Sequence, residues 1–282
     1  MNTTNSQNWP RVIEPEEVMQ ALNQSNSHMR LLDLSQPQTF SRAHIPTAIH
    51  IPPVMTTSGR PDCPGLAPSV DAVQSLMNRL NLTSPEDFVV LYDDEGGGWA
   101  GRMGWLLDTV GFHRYALLRV GIQGWLAAGL PTETQLTAVT TNFFTVQPNS
   151  KFSIYANELQ NTLNDVVIWD ARSPEEFNGQ RIFAQRGGHI PGAINYEWTQ
   201  LMDFDQYRAL RPLEEIRADL EKIGITADKK IITHCQTHHR SGLTYVVGRI
   251  LGFDIAAYSG SWSEWGNDVT RPIETTESTF SS

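Results

Sequence analysis

The chain has 282 residues, 40% of them hydrophobic and 18% charged, which is enough for one large domain or two of ordinary size. A formal net charge of −10 gives no global pull towards nucleic acid or an anionic membrane, and no apolar run approaches the roughly 20 residues that cross a bilayer. Two cysteines, Cys63 and Cys235, make no disulfide framework and the start MNTTNSQNWP carries no basic-then-apolar leader, so a soluble protein of a reducing cytoplasm is expected.

Taken in chain order, LLDLSQPQTFSRAHIPTAIHI (31–51) opens on a buried-strand run ending in Asp33, then places Phe40, His44-Ile45-Pro46 and a short strand. Val70, Val73, Leu76, Met77 and Leu80 recur at helical spacing. VVLYDDEGGGWAGRMGWLLDTVGF (89–112) reads as a strand, a turn holding Asp94 and three glycines, and a helix. A strand at Tyr115–Leu118, a Gly-rich turn and Trp125 close the series. After a polar, threonine-rich linker over 133–150 the series repeats. VIWDARSPEEFNGQRIFAQRGGHIPGAINY (167–196) carries Asp170, Phe177 and His189 in the places of Asp33, Phe40 and His44. Leu213, Ile216, Leu220 and Ile223 have helical spacing, IITHCQTHHRSGLTYVVGRILGF (231–253) is a second strand, turn and helix, and Asp254–Tyr258 precedes another Gly-rich turn and Trp265. Short apolar runs alternating with amphipathic helices predict a mostly parallel sheet covered on both faces. The fold expected is α/β: two domains of common ancestry, 1–132 and 151–270, followed by a flexible tail over 271–282.

Setting Gly111-Phe112 over Gly252-Phe253 without a gap puts Asp94 opposite Cys235. One strand-to-helix turn thus carries a nucleophile where the other carries a carboxylate. In open α/β sheets ligands bind beyond the carboxyl ends of the strands, which is where Cys235 to Arg240 falls. Backbone N–H groups curling ahead of a helix hold anions and stabilise a thiolate. Arg240 supplies fixed positive charge, and the Thr237 hydroxyl can bond whatever the sulfur carries. His238 and His239 add charge when protonated, or are solvated loop residues. Cys63, in PDCPG, lacks such a setting and reads as a passive loop residue. Cys235 and His238 have a chelating spacing, but a structural metal site wants four ligands and no second pair stands out.

The residues quoted, together with DDEGGGWAGR, GGHIPGAIN, EWT and GSWSEWGN, resemble the rhodanese family over nearly the whole chain. The match is to the tandem form with an inactive first domain, close to a bacterial thiosulfate sulfurtransferase subgroup whose loop also reads CQTHHR. The resemblance implies two rhodanese-like domains and sulfur transfer from thiosulfate through a Cys235 persulfide to cyanide or a thiol. It implies no metal and no organic cofactor. Gln236, Thr237, His238, His239 and Arg240 would stabilise the persulfide or bind the donor, joined by Arg186 at the entrance. Asp170 and Arg172 match a motif at the rim and are expected to brace the loop, and Trp198 in YEWT to line the pocket or sit in the core. His189 reads as turn scaffold. Loops of the CRKGVT and CGSGVT types, found in other two-domain members, differ from CQTHHR, which leaves 3-mercaptopyruvate open as donor. Further alternatives are a carrier that hands persulfide sulfur to a protein and a Cys-loop-Arg phosphatase. Those phosphatases place five residues between Cys and Arg, where this chain has four, 236–239.

Overall fold

Near-continuous runs of valine, isoleucine and leucine suit strands buried on both faces. They become the central strands of two parallel sheets in the computed structural model, which describes residues 9–24, 28–58 and 60–275. The first sheet holds β1 (Arg11–Ile13), β2 (Met29–Asp33), β3 (Ile49–His50), β4 (Phe88–Tyr92) and β5 (Tyr115–Leu118) in the order β1-β5-β4-β2-β3. The second holds β6 (Val166–Asp170), β7 (Ile194–Asn195), β10 (Lys230–His234) and β11 (Ile255–Ala257) in the order β11-β10-β6-β7, while β8 (Met202–Asp203) and β9 (Ala209–Leu210) form a separate antiparallel pair whose Leu210 amide bonds the Arg119 carbonyl of the first repeat. Helices α1 (Pro15–Leu22), α2 (Pro37–Arg42), α3 (Val70–Met77), α4 (Gly98–Thr109) and α5 (Gly121–Ala127) belong to the first repeat. Helices α6 (Ala156–Asn161), α7 (Pro174–Phe177), α8 (Leu213–Lys222), α9 (Arg240–Ile250) and α10 (Ser261–Trp265) belong to the second.

Strand register refines the comparison of the repeats. Asp33 pairs with Tyr92 and Asp170 with His234, so the residue that follows the strand in the first repeat, and matches Cys235, is Asp93. The expectation that Asp94 fills that slot is corrected by one position. Helix α4 has 12 residues and α9 has 11, so an ungapped alignment anchored on Gly111-Phe112 carries a one-residue shift back into the turn.

Each repeat closes with the same clasp. His44 stacks on Phe40 and exchanges both backbone hydrogen bonds with Glu133, while Trp125 donates to the Pro131 carbonyl. His189 likewise stacks on Phe177 and exchanges both bonds with Glu274, and Trp265 donates to the Pro272 carbonyl. Two boundaries therefore move. Glu133 belongs to the first domain and not the linker, and residues 271–275 are tied into the second domain and not part of a loose tail; residues 276–282 lie outside the described set. The linker runs along the first domain, its Asn142, Gln147 and Asn149 amides bonding the carbonyls of Asn78, Val110 and Thr109.

The domains meet along α4 and α9. The helices cross where Gly101 faces Gly242, so closely that a Cβ on Gly101 would lie 2.4 Å from the Gly242 carbonyl. One apolar cluster joins both sheets through Met103, Trp105, Leu243, Val246 and Phe152. No helix among the described residues is long and apolar enough to cross a membrane.

Candidate active site

Cys235 leaves the carboxyl end of β10, and the chain turns through Gln236 to His239 before α9 begins at Arg240. The turn is tight enough to need a left-handed residue, His238, with φ of 57°. Cys235 is 1% exposed, whereas Gln236, Thr237, His239 and Arg240 are half-buried, so the sulfur lies at the bottom of a loop whose rim reaches the surface. Behind it, the Cys235 and Gln236 carbonyls accept from the amides of Trp262 and Ser263, which ties the loop to α10.

The amides of Gln236, Thr237, His238, His239 and Arg240 have no acceptor among the described residues. At a half-buried rim such N–H groups are open to water or to a bound anion. The first repeat shows part of that turn filled, for by strand register Glu95, Gly96, Gly97 and Trp99 match Thr237, His238, His239 and Ser241, while the Gly242 amide that matches Ala100 is already bonded to the His239 carbonyl. The Asp93 carboxylate collects the amides of Glu95, Gly96 and Gly97 at 3.1, 3.1 and 2.8 Å on one oxygen and those of Trp99 and Ala100 at 3.0 Å on the other. Burial and the neighbouring Glu95 push Asp93 up to about 6 against that pull.

At Cys235 burial pushes the thiol up, but Arg240, the hydroxyl and amide of Ser241, and His239 outweigh it and bring the thiol below its ordinary range. His238 Nδ1 lies 2.8 Å from the Ser241 hydroxyl. If that hydroxyl donates to sulfur, the imidazole is the donor to Ser241 Oγ, giving a chain His238 N–H to Ser241 O–H to Cys235. Burial holds His238 far below the usual histidine range, reinforced by Arg102 and His239. The expectation that His238 adds charge to the loop is thus corrected: it stays neutral and packs edge-on against Trp105.

Arg240 stands at the first position of α9, where the helix dipole disfavours a cation. Glu176 offsets this with a two-pronged pair at 2.5 and 2.8 Å, and burial is outweighed so that the guanidinium holds its proton more firmly than usual. Glu176 sits in α7, whose capping box with Ser173 fixes its carboxylate. Asp170 accepts four bonds from Arg172, which also donates to the Gly188 carbonyl and lies over Trp262 at 4.4 Å. That buried pair sits under the loop, with Asp170 registered against His234.

His239 reaches the first domain. Its ring stacks on Trp99 at 4.2 Å, its Nε2 meets the Glu95 carboxylate, and Trp198 lies 5.6 Å away. Trp198 thus lies beside the loop at the domain boundary, half-buried against the apolar cluster that both repeats share. Gln236 turns outward to the Phe183 carbonyl. The Thr237 hydroxyl has no protein partner among the described residues, while the Thr237 carbonyl accepts from Arg102. Arg186 contradicts its expected place at the entrance. Its guanidinium donates to the carbonyls of Trp265, Gly266, Asp268 and Arg271 and holds the end of α10. No three His, Cys, Asp or Glu side chains among the described residues converge as metal ligands.

Four residues around the loop were not singled out from sequence: Ser241, Glu176, Glu95 and Arg102. Ser241 follows Arg240 directly and Glu176 sits in a readable S-x-x-E cap. Glu95 and Arg102 come from the other repeat, and no local pattern ties them to Cys235.

The sequence signature of the rhodanese-like domain matches twice, over residues 14–128 and 155–268. The chain is 44% identical to a thiosulfate sulfurtransferase of Azotobacter vinelandii over 268 residues, covering 94% of this chain and 97% of that one. It is 42% identical to a thiosulfate sulfurtransferase of Pseudomonas aeruginosa with the same coverage. A sulfur carrier protein, TtuD, of Thermus thermophilus is 31% identical over 73% of this chain and 76% of its own length. Among solved structures, the anaerobic ergothioneine biosynthesis enzyme from Chlorobium limicola matches the fold with a TM-score of 0.82 at 20% identity, over 94% of this chain and 70% of that one.

Proposed function

The chain belongs to the rhodanese family, and from that membership we propose that it is a thiosulfate sulfurtransferase working through a persulfide on Cys235. The Cys235 thiolate attacks the outer sulfur of thiosulfate. A new S–S bond forms, the old one breaks, and sulfite leaves with the electron pair. Cyanide or a thiolate then attacks the terminal sulfur of the persulfide anion, carries it away and regenerates the thiolate. Neither displacement requires a metal or an organic cofactor.

The observation that carries this reading is the turn that follows a lowered thiol: the amides of Gln236 to Arg240 lack acceptors among the described residues, and the hydroxyl and amide of Ser241 serve the sulfur. In a persulfide the terminal anionic sulfur stands two bonds from Cβ, as a carboxylate oxygen does in aspartate. Asp93 in the matching turn of the first repeat is thus a built-in analogue of the persulfide. On this reading Thr237 and His239 line the approach, Arg240 supplies positive charge, Gln236 and His238 shape the turn, and Asp170, Arg172 and Trp198 support it. Thiosulfate is favoured over 3-mercaptopyruvate by the relatives' activity; the ratio of kcat/KM for the two donors tests that choice. A reducing cytoplasm suits the chemistry, since it keeps both cysteines as thiols.

Mass spectrometry of reduced protein treated with thiosulfate should find one added sulfur atom on the peptide holding Cys235, absent from Cys235→Ala, which loses turnover. Unchanged mass on active-site peptide from fresh reduced protein contradicts the reading. A sulfur-accepting protein as acceptor is supported by Ile182 and Phe183, 56% and 60% exposed on the segment that bonds Gln236, and by similarity to a sulfur carrier protein.

A further inference from the structure

We propose that Arg102, from the catalytically silent first repeat, is a positioning residue for sulfur transfer that aims the amides of the Cys235 loop from behind. The inference rests on Cys235 being the sulfur-carrying nucleophile. Arg102 is completely buried, its guanidinium lies 5.5 Å from the centre of the Trp105 ring, and every hydrogen-bond partner it has among the described residues is a carbonyl. Nε donates to Thr56 at 2.9 Å, and one terminal nitrogen donates to Gly65 at 2.9 Å and Leu66 at 3.1 Å. The other terminal nitrogen donates to Thr237 at 3.3 Å and His238 at 3.2 Å, across the domain boundary. No carboxylate bonds it among the described residues. A guanidinium buried without an anion is costly, so the arrangement calls for a return.

The return lies in peptide geometry. In a planar trans peptide the C=O and N–H point to opposite sides. Drawing the Thr237 and His238 carbonyls towards Arg102 therefore turns the N–H groups of His238 and His239 away from it. Those are two of the amides with no acceptor among the described residues. The left-handed turn at His238 makes a concavity of N–H groups that favours an anion. The first repeat is pressed against the loop at this point: a Cβ on Gly65 would lie 2.7 Å from the Thr237 carbonyl and 2.5 Å from that of Ser259. Electrostatics agree with the geometry. Burial pulls Arg102 down to about 10, and the charge opposing that pull is the Cys235 sulfur. The guanidinium and the thiolate stabilise one another through the loop.

The test compares Arg102→Gln and Arg102→Lys with the intact protein in three readouts: Tm, kcat/KM for thiosulfate, and the pH midpoint of iodoacetamide alkylation at Cys235. A residue that merely tied the domains together would lower Tm and leave the midpoint of the folded protein unmoved. A positioning residue moves it. R102Q is expected to raise the midpoint by about one pH unit and to lower kcat/KM on the order of a hundredfold. R102K keeps the charge but has three donors for five carbonyls, so its midpoint and kcat/KM should fall between the two. A folded R102Q with the intact protein's midpoint and kcat/KM overturns the proposal. Should R102Q fail to fold, R102K decides: an unmoved midpoint with unchanged kcat/KM overturns, and a raised midpoint with reduced kcat/KM supports. Failure of the sulfurtransferase reading is seen separately, as absence of sulfur uptake by the intact protein, while the midpoint still reports what Arg102 does to the thiolate.

Discussion

The two cysteines are both buried, so what separates them is the company each keeps. Burial and Glu264 push Cys63 up to about 11, so at neutral pH it remains a protonated thiol. Cys235 is drawn the other way, because Arg240 and the two Ser241 donors outweigh its burial. Alkylation requires thiolate, so its rate climbs with pH and levels off above the thiol's pKa. For Cys235 the midpoint should fall below the ~8.5 of a free thiol. At pH ~7 iodoacetamide should therefore label Cys235 and spare Cys63, as peptide mapping of the alkylated protein would read. A midpoint at or above that of a free thiol contradicts the electropositive loop. Ser241→Ala removes one donor to sulfur and strands the ring nitrogen of His238 that bonds it. We expect the midpoint to rise and kcat/KM for thiosulfate to drop about tenfold or more; an unchanged midpoint would mean that the hydroxyl does not reach the sulfur. The place of Cys235 in the turn between β10 and α9 is legible from sequence because a strand run, a polar turn and a helix run surround it in order. The place of Arg186 is not legible, because neighbourhood in sequence to GGHIPGA says nothing about where a long side chain ends, and its four carbonyl partners come from a segment roughly 80 residues on.

At the scale of elements, the decisive contact is the crossing of α4 and α9. A Cβ on Gly242 would lie 2.4 Å from the Arg102 amide nitrogen and 2.6 Å from the Gly98 carbonyl, both backbone atoms that cannot swing aside. Gly242→Ala should push the helices apart and cost about 1–3 kcal/mol, the usual penalty of overpacking. Activity should fall as well, because Gly242 directly follows Ser241 and shares the first turn of α9 with it. Thermal denaturation and kcat/KM measured together check this, and a variant as stable as the parent would show that the interface yields easily. The elements flanking this crossing were readable, since the apolar periodicity of 70–80 and 213–223 and the strand runs at 89–92 and 231–234 emerged as α3, α8, β4 and β10. The single extra residue in α4 was not, because helices differing by one residue present the same periodic pattern. Only strand register exposes it, by pairing Tyr92 with Asp33 as His234 pairs with Asp170.

For the whole molecule, two matching repeats dock on one another, and the loop holding Cys235 lies where they meet. Sequence revealed the duplication but not the interface, because the residues that join the halves are chosen by the docking of α4 on α9. Asp108 is the clearest case. Fully buried, it accepts hydrogen bonds from Tyr115 and His113 of its own repeat and, across the boundary, from Tyr245 at 2.8 Å and Arg249 at 2.9 Å. Burial alone would raise the carboxyl, but His113, Arg249 and Tyr245 together hold it below the usual aspartate range. A folded-state pKa beneath the unfolded one stabilises the protein above the unfolded value and ceases to do so as pH falls through the folded value. Asp108→Asn leaves Arg249 without its buried anion, for which about 3–5 kcal/mol of destabilisation is expected. The gap between parent and variant should be complete at neutral pH and narrow below about pH 4 as the parent's own carboxylate takes up its proton. Because one apolar cluster spans both sheets, the loss should lower a single shared unfolding transition. Urea unfolding at several pH values reads both the gap and the number of transitions. A gap independent of pH would mean that Asp108 acts by shape and not by charge, and two separate transitions would mean that the halves do not depend on one another for their stability.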